Sequence, residues 1–453
     1  MRTTGWPVLV IGAGPCGLAA ARTLQQSDVP AVVLNKEHHV GGLAASFRDS
    51  AGFLWDQGGH VVFSHYGEFD ALLKEMMGDE LEHHERVSYI LMGDRRVPYP
   101  FQRNLAALDP DQALECIVGL IERPEPSPPR HFGGWMEAQF GTGITRHFMR
   151  PYNTKVWSTP PEQMSTEWMS ERVAPVDWLE CLANLVHGRT DPAWGPNSTF
   201  AYPATGGTGE PFRRLAARLP EVRLGAQVVS IDPDRRQAVT ADGTEYGYEQ
   251  LISTMPLNHL VAMLTRCPSH IRSAAATLRH NQVHVVGVGA DGPGDADWSW
   301  MYFPEPEYPF YRVTNLGHYA DGNLPPGPGA HHSLMCEISL PPDVEADGQD
   351  LAGRAVAGLR RARLLRDSAQ VRSVYTRRIP MAYPVPTRGR SEAVASILAH
   401  LEDLGIYSRG RFGTWLYEFG NMDHAVKMGI DVACHLTTGA PESILLPHRR
   451  AEH

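Results

Sequence analysis

The sequence lacks three features that would each place the protein in a familiar class. Its six cysteines form no Cys-x-x-Cys pair, so we expect neither a disulfide framework nor a zinc site, and we expect a reducing, cytoplasmic location. It has no uninterrupted apolar run of about 18 residues, so we expect no membrane-spanning helix. A net charge of −10 gives no reason to expect a nucleic-acid partner.

A glycine-rich turn near the N-terminus carries the strongest local signal. The segment "PVLVIG" predicts a buried strand, "GAGPCG" a tight turn and "LAAARTLQQS" a helix, and "AVVLNK" predicts the next strand. Gly12, Gly14 and Gly17 therefore stand in G-x-G-x-x-G register between a strand and a helix. This context predicts a bound dinucleotide, because the backbone can approach a pyrophosphate while the helix N-terminus faces its charge.

Two features that follow this turn bear on which dinucleotide is bound. Asn35 ends the second strand, where an Asp or Glu usually meets the ribose, and its amide can also hydrogen-bond ribose hydroxyls. A second glycine pair, Gly41 and Gly42, then precedes Leu43. Such a pair is typical of FAD enzymes that resemble amine oxidases, and we expect FAD rather than NAD as the tightly bound cofactor.

The remaining patterns predict an α/β protein of more than one lobe, since 453 residues exceed what one hydrophobic core usually serves. We expect a Rossmann-like FAD-binding domain of the amine-oxidase type, an inserted helical substrate lobe and an antiparallel β-sheet substrate lobe. The predicted boundaries are 1–85, 200–270 and 405–453 for the FAD-binding domain, 103–199 for the helical lobe, and 86–102 and 271–404 for the antiparallel sheet domain.

Several longer motifs occur in one order along the chain, among them "GGHVVFSHY", "VPYPFQRN", "GTGITRHFMRPYNTKVW", "PFYR" and "RGRFGTWLYEFGNMDHA". From about residue 8 to about residue 436 they resemble the UDP-galactopyranose mutases, and the eukaryotic type more than the common bacterial type. The resemblance implies an isomerase that converts UDP-galactopyranose to UDP-galactofuranose without net redox change. In that family, N5 of reduced FAD attacks the anomeric carbon, so the resemblance implies FAD that is active when reduced.

The resemblance also assigns residues to the flavin. The family's Gly-Gly-His loop lies against the isoalloxazine, which implies that Gly58 and Gly59 permit a close approach and that His60 tunes the flavin. His60 is thereby a catalytic candidate, though not as a general acid or base. The C-terminal residues implied for the flavin are Arg411, Gly420, Asn421 and Met422.

The substrate residues are likewise implied by matching positions. Arg172 in "SERVAP" and Arg312 in "PFYR" match two arginines that grip the diphosphate, and a guanidinium can bind two phosphate oxygens at once. Both are catalytic candidates. The other residues that match family contacts to uridine, sugar or diphosphate are Tyr99, Phe101, Gln102, Phe148, Asn153, Trp157, Asn197, Trp300, Tyr302, Tyr383, Tyr417 and Asn421.

Three functional points remain open in the sequence. Arg86 and Ser88 in "ERVSYI" match the positions at which the eukaryotic type meets NADPH, which implies NADPH as the reductant. The same chemistry could act on another nucleotide-sugar, such as a UDP-pentose or a UDP-N-acetylhexosamine. An amine-oxidase-like flavin oxidase and a catalytically silent nucleotide-sugar binding protein are the alternatives from other classes.

We expect a UDP-sugar as the binding partner, and we expect the protein to be a monomer or a small homo-oligomer.

Overall fold

The computed structural model describes residues 4–123, 130–169, 176–191, 198–295, 298–327 and 329–445. Its strands are β1 (Thr4–Ile11), β2 (Ala31–Asn35), β3 (Ser46–Arg48), β4 (Leu54–Asp56), β5 (Leu81–Glu85), β6 (Ser88–Met92), β7 (Arg95–Pro98), β8 (Thr199–Pro203), β9 (Val222–Leu224), β10 (Val228–Asp232), β11 (Gln237–Thr240), β12 (Glu245–Ser253), β13 (Arg279–Asp291), β14 (Trp300–Tyr302), β15 (Arg312–Asn315), β16 (His331–Leu340), β17 (Val371–Val385) and β18 (Ile406–Ser408).

The α-helices are α1 (Pro15–Gln26), α2 (Gly67–Met77), α3 (Pro110–Ile121), α4 (Phe132–Ile144), α5 (Arg150–Trp157), α6 (Trp178–Val186), α7 (Glu210–Ala216), α8 (Leu257–Met263), α9 (Ser269–Thr277), α10 (Gly348–Arg361), α11 (Arg390–Asp403) and α12 (Met422–Thr438). Within the described part of the chain, none of the helices combines the length and the apolar character that crossing a membrane requires.

The first sheet is the Rossmann-like part of the molecule. Its strands lie in the order β10-β11-β12-β1-β2-β9, and β18 also pairs with β12. Strands β12, β1, β2, β9 and β18 run parallel, whereas β10 and β11 add an antiparallel edge. The central strands are rich in buried Val, Leu and Ile, as expected for a parallel sheet that helices cover on both faces.

Helices α1 and α12 pack closely against each other beside this sheet. A Cβ atom on Gly429 would lie 2.1 Å from the carbonyl oxygen of Cys16, so the two backbones approach as only glycine permits. The middle of α12 is therefore held against the start of α1, directly after the glycine-rich turn, although the two segments lie far apart along the chain.

The second sheet has the order β17-β13-β16-β15-β14-β6-β7 and is antiparallel except where β14 pairs with β6. Its long strand β13 bears Gly287 and Gly289, and a Cβ on either would come within 2.6 Å of the rings of Trp55 and Phe53 respectively. Trp55 lies in β4 and Phe53 directly precedes that strand, so the two glycines allow the β3–β4 hairpin to pack closely on the second sheet.

The third part is a helical insertion built from α3 to α6, with a separate hydrophobic core that includes Phe101, Phe132, Phe148 and Trp157. The predicted fold class, a Rossmann-like FAD-binding unit with a helical insertion and an antiparallel sheet, is confirmed. The predicted boundaries between the three parts stay a prediction.

Candidate active site

The glycine turn after β1 forms a narrow cradle at the start of α1. Gly12 has a φ of 105°, and a Cβ on Gly17 would lie 2.0 Å from the carbonyl oxygen of Gly12. A Cβ on Gly42 would lie 3.1 Å from Cα of Gly14, so the second glycine pair packs directly on the first turn. Helix α1 has neither a side-chain cap nor an acidic residue in its first turn. The backbone N–H groups there suit an anion such as a pyrophosphate.

Asn35 stands at the end of β2 beside this cradle, but most of its hydrogen-bonding capacity is used within the protein. Its Oδ1 accepts from the backbone N–H of Ala13 at 3.2 Å, and its Nδ2 donates to the carbonyls of Glu37 and His39 at 3.1 and 2.8 Å. The amide therefore holds the loop, and one lone pair on Oδ1 is left for the predicted ribose contact.

The segment 57–66, here called the histidine loop, joins β4 to α2 and lies against a buried ion pair. A Cβ on Gly58, whose φ is 108°, would lie 3.0 Å from Oε1 of Glu337. A Cβ on Gly59 would lie 2.6 Å from Oγ1 of Thr314 and 3.2 Å from Cζ of Arg312. The two glycines are thus needed for close packing on the protein itself.

Arg312 and Glu337 are register partners on β15 and β16, and their side chains form a two-pronged ion pair. Nε of Arg312 donates to Oε2 of Glu337, Nη2 donates to Oε1 at 2.9 Å, and the hydroxyl of Tyr311 donates to Oε1 at 2.9 Å. Burial opposes the charge of Glu337, but Arg312 outweighs it and lowers the pKa of that carboxyl. The carboxylate in turn raises the pKa of Arg312 despite burial.

His60, in the histidine loop, lies close enough to Arg312 and Glu337 to interact with their charges. Burial, and next the positive charge of Arg411, lower the pKa of His60 to about 3. Its Nδ1 atom is buried, and no described residue hydrogen-bonds it. A neutral imidazole with an unused ring nitrogen fits a position beside a cofactor that brings its own polar edge.

A cavity of about 740 Å³ opens beside these residues, bounded by the histidine loop, the helical insertion and the second sheet. Many of the predicted site residues line it: Gly59, His60, Arg86, Tyr99, Gln102, Phe148, Asn153, Trp157, Trp300, Tyr302, Arg312, Tyr383, Arg411, Tyr417, Asn421 and Met422. A smaller adjoining cavity is lined by Leu43, His60 and Arg411 among others, and so connects the second glycine pair with the histidine loop.

Aromatic rings form much of the cavity wall. Phe148 lies nearly parallel to both Phe101 and Tyr152, with centroids 5.0 and 5.2 Å away. The rings of Trp157 and Tyr417 meet edge to face at 4.6 Å. Such a wall suits a flat, partly apolar ring.

Phe101, Ser88 and Gly420, predicted to contact substrate, NADPH and flavin respectively, lie in the described part of the chain but do not line the large cavity. Arg172 and Asn197 lie outside the described residues. Phe101 is fully buried behind Phe148, and Ser88 is buried in β6 outside the cavity lining. Gly420 is connected to the cavity through its backbone, because its carbonyl accepts a hydrogen bond at 2.7 Å from Nε of Arg411, which does line the cavity.

Sequence reasoning missed three residues that the structure brings to the site: Glu337, Tyr311 and Tyr152. A glutamate inside the otherwise apolar run "SLMCEISL" was a signal for Glu337, because a buried charge demands a partner. Tyr311 lies in the motif "PFYR" and Tyr152 in "GTGITRHFMRPYNTKVW", but the resemblance assigns the substrate contacts of these motifs to neighbouring residues.

The comparisons with known proteins agree with this geometry. A family model for flavin containing amine oxidoreductases matches residues 15–299. A crystal structure of reduced UDP-galactopyranose mutase is 35% identical, aligns with 99% of this chain and 97% of that chain, and gives a TM-score of 0.94. This chain belongs to the UDP-galactopyranose mutase family. The family is flavin-dependent, and the cradle and the unused nitrogen of His60 fit that cofactor.

More distant proteins also match this mutase-family chain in structure or in sequence. Putrescine oxidase is 16% identical, aligns with 97% of this chain and with 100% of that chain, and has a TM-score of 0.66. Lysine-specific histone demethylase 1B of Mus musculus is 24% identical, and demethylase 2 of Homo sapiens 25%. Each alignment covers 78% of this chain but only 41% of the relative.

Asp56, which is buried just before the histidine loop, and the half-buried His60 within it give the molecule opposite responses to acid. The low pKa of His60 makes its contribution to stability present above the unfolded value of 6.5 and lost as pH falls toward about 3. Burial raises the pKa of Asp56 from 3.8 to about 6, against hydrogen bonds from Ser46, Tyr202 and Thr208. Its contribution is therefore full below 3.8 and lost as pH rises through about 6.

We predict that two substitutions shift the acid response in opposite directions. Acidification from about pH 7 to about pH 5 should lower the free energy of unfolding of His60→Asn by about 2 kcal/mol less than that of the parent protein, because the unfolded chain no longer gains a proton at this position. It should lower that of Asp56→Asn by about 1 kcal/mol more, because the folded protein no longer takes up a proton there. The measurement is the apparent free energy of unfolding of the flavin-loaded protein at both pH values, at one ionic strength. Equal pH responses of both variants and the parent protein would contradict these assignments.

Proposed function

We propose that this protein is a flavin-dependent pyranose–furanose mutase that acts on a nucleotide-sugar, with UDP-galactopyranose and UDP-galactofuranose as its pair. The observation that carries the proposal is the position of Arg312. Its guanidinium lies against Gly59 of the histidine loop and also lines the aromatic cavity. A fixed cation there joins the expected flavin side of the site to a pocket suited to a nucleotide.

Glu337 determines which part of Arg312 faces a ligand. The carboxylate accepts from Nε and Nη2, and since no hydrogen bond within the described part of the chain uses Nη1, that nitrogen can meet a phosphate oxygen. The pair also fixes the planar fork before substrate arrives, so little side-chain freedom is lost on binding. Because the whole chain carries a charge of −10, a local cation must supply the attraction for an anionic diphosphate.

When bound and reduced, the flavin would supply the nucleophile for the anomeric carbon. The residues of this chain would bind, orient and shield: Arg312 would hold the departing diphosphate, and Gln102 would offer a donor and an acceptor to a uracil edge. The aromatic rings would keep water from the reacting carbon, which strengthens each of these charge interactions.

The direct test is product formation. Flavin-loaded protein reduced with dithionite under anaerobic conditions should convert UDP-galactopyranose into UDP-galactofuranose, and the oxidised protein should not. A panel with UDP-pentoses and UDP-N-acetylhexosamines establishes which sugar is preferred. Steady hydrogen peroxide production from an amine would favour the oxidase alternative. Tight UDP binding without any product from reduced protein would favour the silent binding protein.

The second prediction concerns the diphosphate. Arg312→Ala should lower kcat/KM with reduced enzyme and weaken UDP binding, on the order of 30- to 1000-fold in kcat/KM, because a charged hydrogen bond in a partly desolvated site is lost. Arg312→Lys should recover only part of this, since it keeps the charge but not the fork. Arg172→Ala, chosen from the resemblance alone, should act in the same direction.

The controls separate ligand binding from stability. Arg312→Ala leaves the Glu337 carboxylate buried without its cation, which is itself destabilising. Adding Glu337→Gln to Arg312→Ala should therefore restore much of the stability but not the activity. Arg354→Ala is the matched surface control, because this largely exposed arginine of α10 forms its ion pair, among the described residues, with Asp350. Full activity and full UDP affinity in the Arg312 variants would place the diphosphate elsewhere.

We also propose that NADPH reduces the flavin directly at this cavity. Arg86 lines the cavity, and its Cζ lies 5.7 Å from the ring centroid of Tyr99. A guanidinium and an aromatic face suit the phosphate and ring groups of a dinucleotide. The assignment of Ser88 to the same ligand rests on the resemblance, because the structure buries this residue.

Anaerobic stopped-flow spectroscopy tests the reductant. NADPH should bleach the flavin band without an added reductase, and Arg86→Ala should slow this step by about tenfold or more. Reduction by dithionite, which needs no binding site, should be unchanged in Arg86→Ala and serves as the control. Absence of bleaching at about millimolar NADPH would reject NADPH as the direct reductant while leaving the mutase proposal in place.

A further inference from the structure

One carboxylate and two imidazoles form a cluster on the cavity wall. Nδ1 of His65 lies 2.7 Å from Oδ2 of Asp423, and Nδ1 of His424 lies 3.1 Å from Oδ1. One ligand atom from each of the three residues lies within 4.8 Å of the others. His65 belongs to the histidine loop, whereas Asp423 and His424 stand in the first turn of α12, and all three line the cavity.

The charge of Asp423 is compensated differently from that of other buried carboxylates. Its side chain has no solvent exposure, and the ion pairs it makes within the described residues are with His65 and His424 alone. An imidazole carries a full positive charge only when protonated. Three other buried carboxylates, those of Glu337, Glu418 and Glu442, pair with a permanently charged arginine.

The hydrogen bonds of Asp423 bring one imidazole to each of its two oxygens. Oδ2 accepts from the backbone N–H of His65 at 3.1 Å and also faces Nδ1 of the same residue, whereas Oδ1 faces Nδ1 of His424. The carboxylate is thus placed between two ring nitrogens, and all three side chains border the cavity.

Two imidazoles and a carboxylate are a ligand set that suits zinc and similar divalent transition metals, whereas Mg²⁺ and Ca²⁺ prefer oxygen ligands. The two ring nitrogens approach different oxygens of Asp423, at 2.7 and 3.1 Å, and one donor atom from each residue lies within 4.8 Å of the others. Small side-chain movements would bring the three donors to the roughly 3.3 Å that separates ligands bound tetrahedrally at about 2.0 Å. We propose that His65, Asp423 and His424 bind a divalent transition metal, with a remaining coordination position open to the cavity.

The metal would join the histidine loop to the start of α12. It would replace the hydrogen bonds that now hold the carboxylate, and its charge would compensate Asp423 while both imidazoles are neutral, since a metal-bound ring nitrogen carries no proton. The expectation of no metal site, drawn from the absence of closely spaced ligand motifs, does not cover this arrangement, because 358 positions separate His65 from Asp423.

Calorimetric titration of zinc chloride into chelator-stripped, flavin-loaded protein tests the site. We expect one zinc ion per chain, and His65→Gln and Asp423→Asn should each weaken zinc binding by about tenfold or more. His270→Gln, which removes an exposed imidazole from α9, is the matched control and should bind zinc like the parent protein. Millimolar Mg²⁺ should not displace the zinc.

The titration tests the proposed metal site independently of the mutase proposal, because zinc binding is measured without catalytic turnover. Absence of zinc binding by the parent protein, or equal affinity in the parent protein and His65→Gln, would reject it; the latter would indicate another ligand such as a cysteine. Should Asp423→Asn fail to fold, as judged by flavin absorbance and unfolding, His65→Gln decides alone, since the His65 side chain is 40% exposed.

Discussion

The candidate site depends first on the ion pair of the buried Glu337 with Arg312, whose side chain is partly open to the cavity. Removing two charges from water is costly, and the cost is met only by good geometry and by further hydrogen bonds. Here the fork of Arg312 meets both oxygens of Glu337, and Tyr311 donates to one of them. Strand register brings the two residues opposite each other on β15 and β16. Because side chains alternate between the two faces of a strand, a slip of one residue would move Arg312 away from the cavity.

The histidine loop is shaped by this pair as much as by any cofactor. Sequence reasoning explained Gly58 and Gly59 by a close approach to flavin. The structure gives each a second reason, since a Cβ on Gly59 would collide with Oγ1 of Thr314 and a Cβ on Gly58, whose φ is also positive, would lie in tight contact with Glu337. The same neighbourhood keeps His60 neutral, because burial and nearby guanidinium groups disfavour an imidazolium. A neutral histidine suits a place beside a cofactor whose electronics must be tuned without a titrating charge.

The parts that sequence predicted are those specified locally. The turn at Gly12, Gly14 and Gly17 is set by adjacent residues, so strand, turn and helix could be read from a short segment. The aromatic wall followed from motifs that remain contiguous in the chain. Glu337 was missed because its role depends on register with a strand that begins 25 positions earlier, at Arg312. The meeting of His65 with Asp423 depends on the packing of α12 against α1, for which no local pattern exists.

Because enzymes of other chemistry share this fold, the fold alone cannot identify the reaction. Putrescine oxidase has the same architecture at 16% identity, so a glycine cradle beside a parallel sheet is compatible with oxidation as well as isomerisation. What differs must lie where substrate meets the frame. A reaction that expels a diphosphate requires a fixed cation at the departing oxygens, in a place shielded from water. In this chain the second sheet supplies such a cation, and the helical insertion supplies the aromatic wall beside it. The two additions to the flavin frame therefore meet at one residue, Arg312, and the mutase proposal rests on what that residue binds.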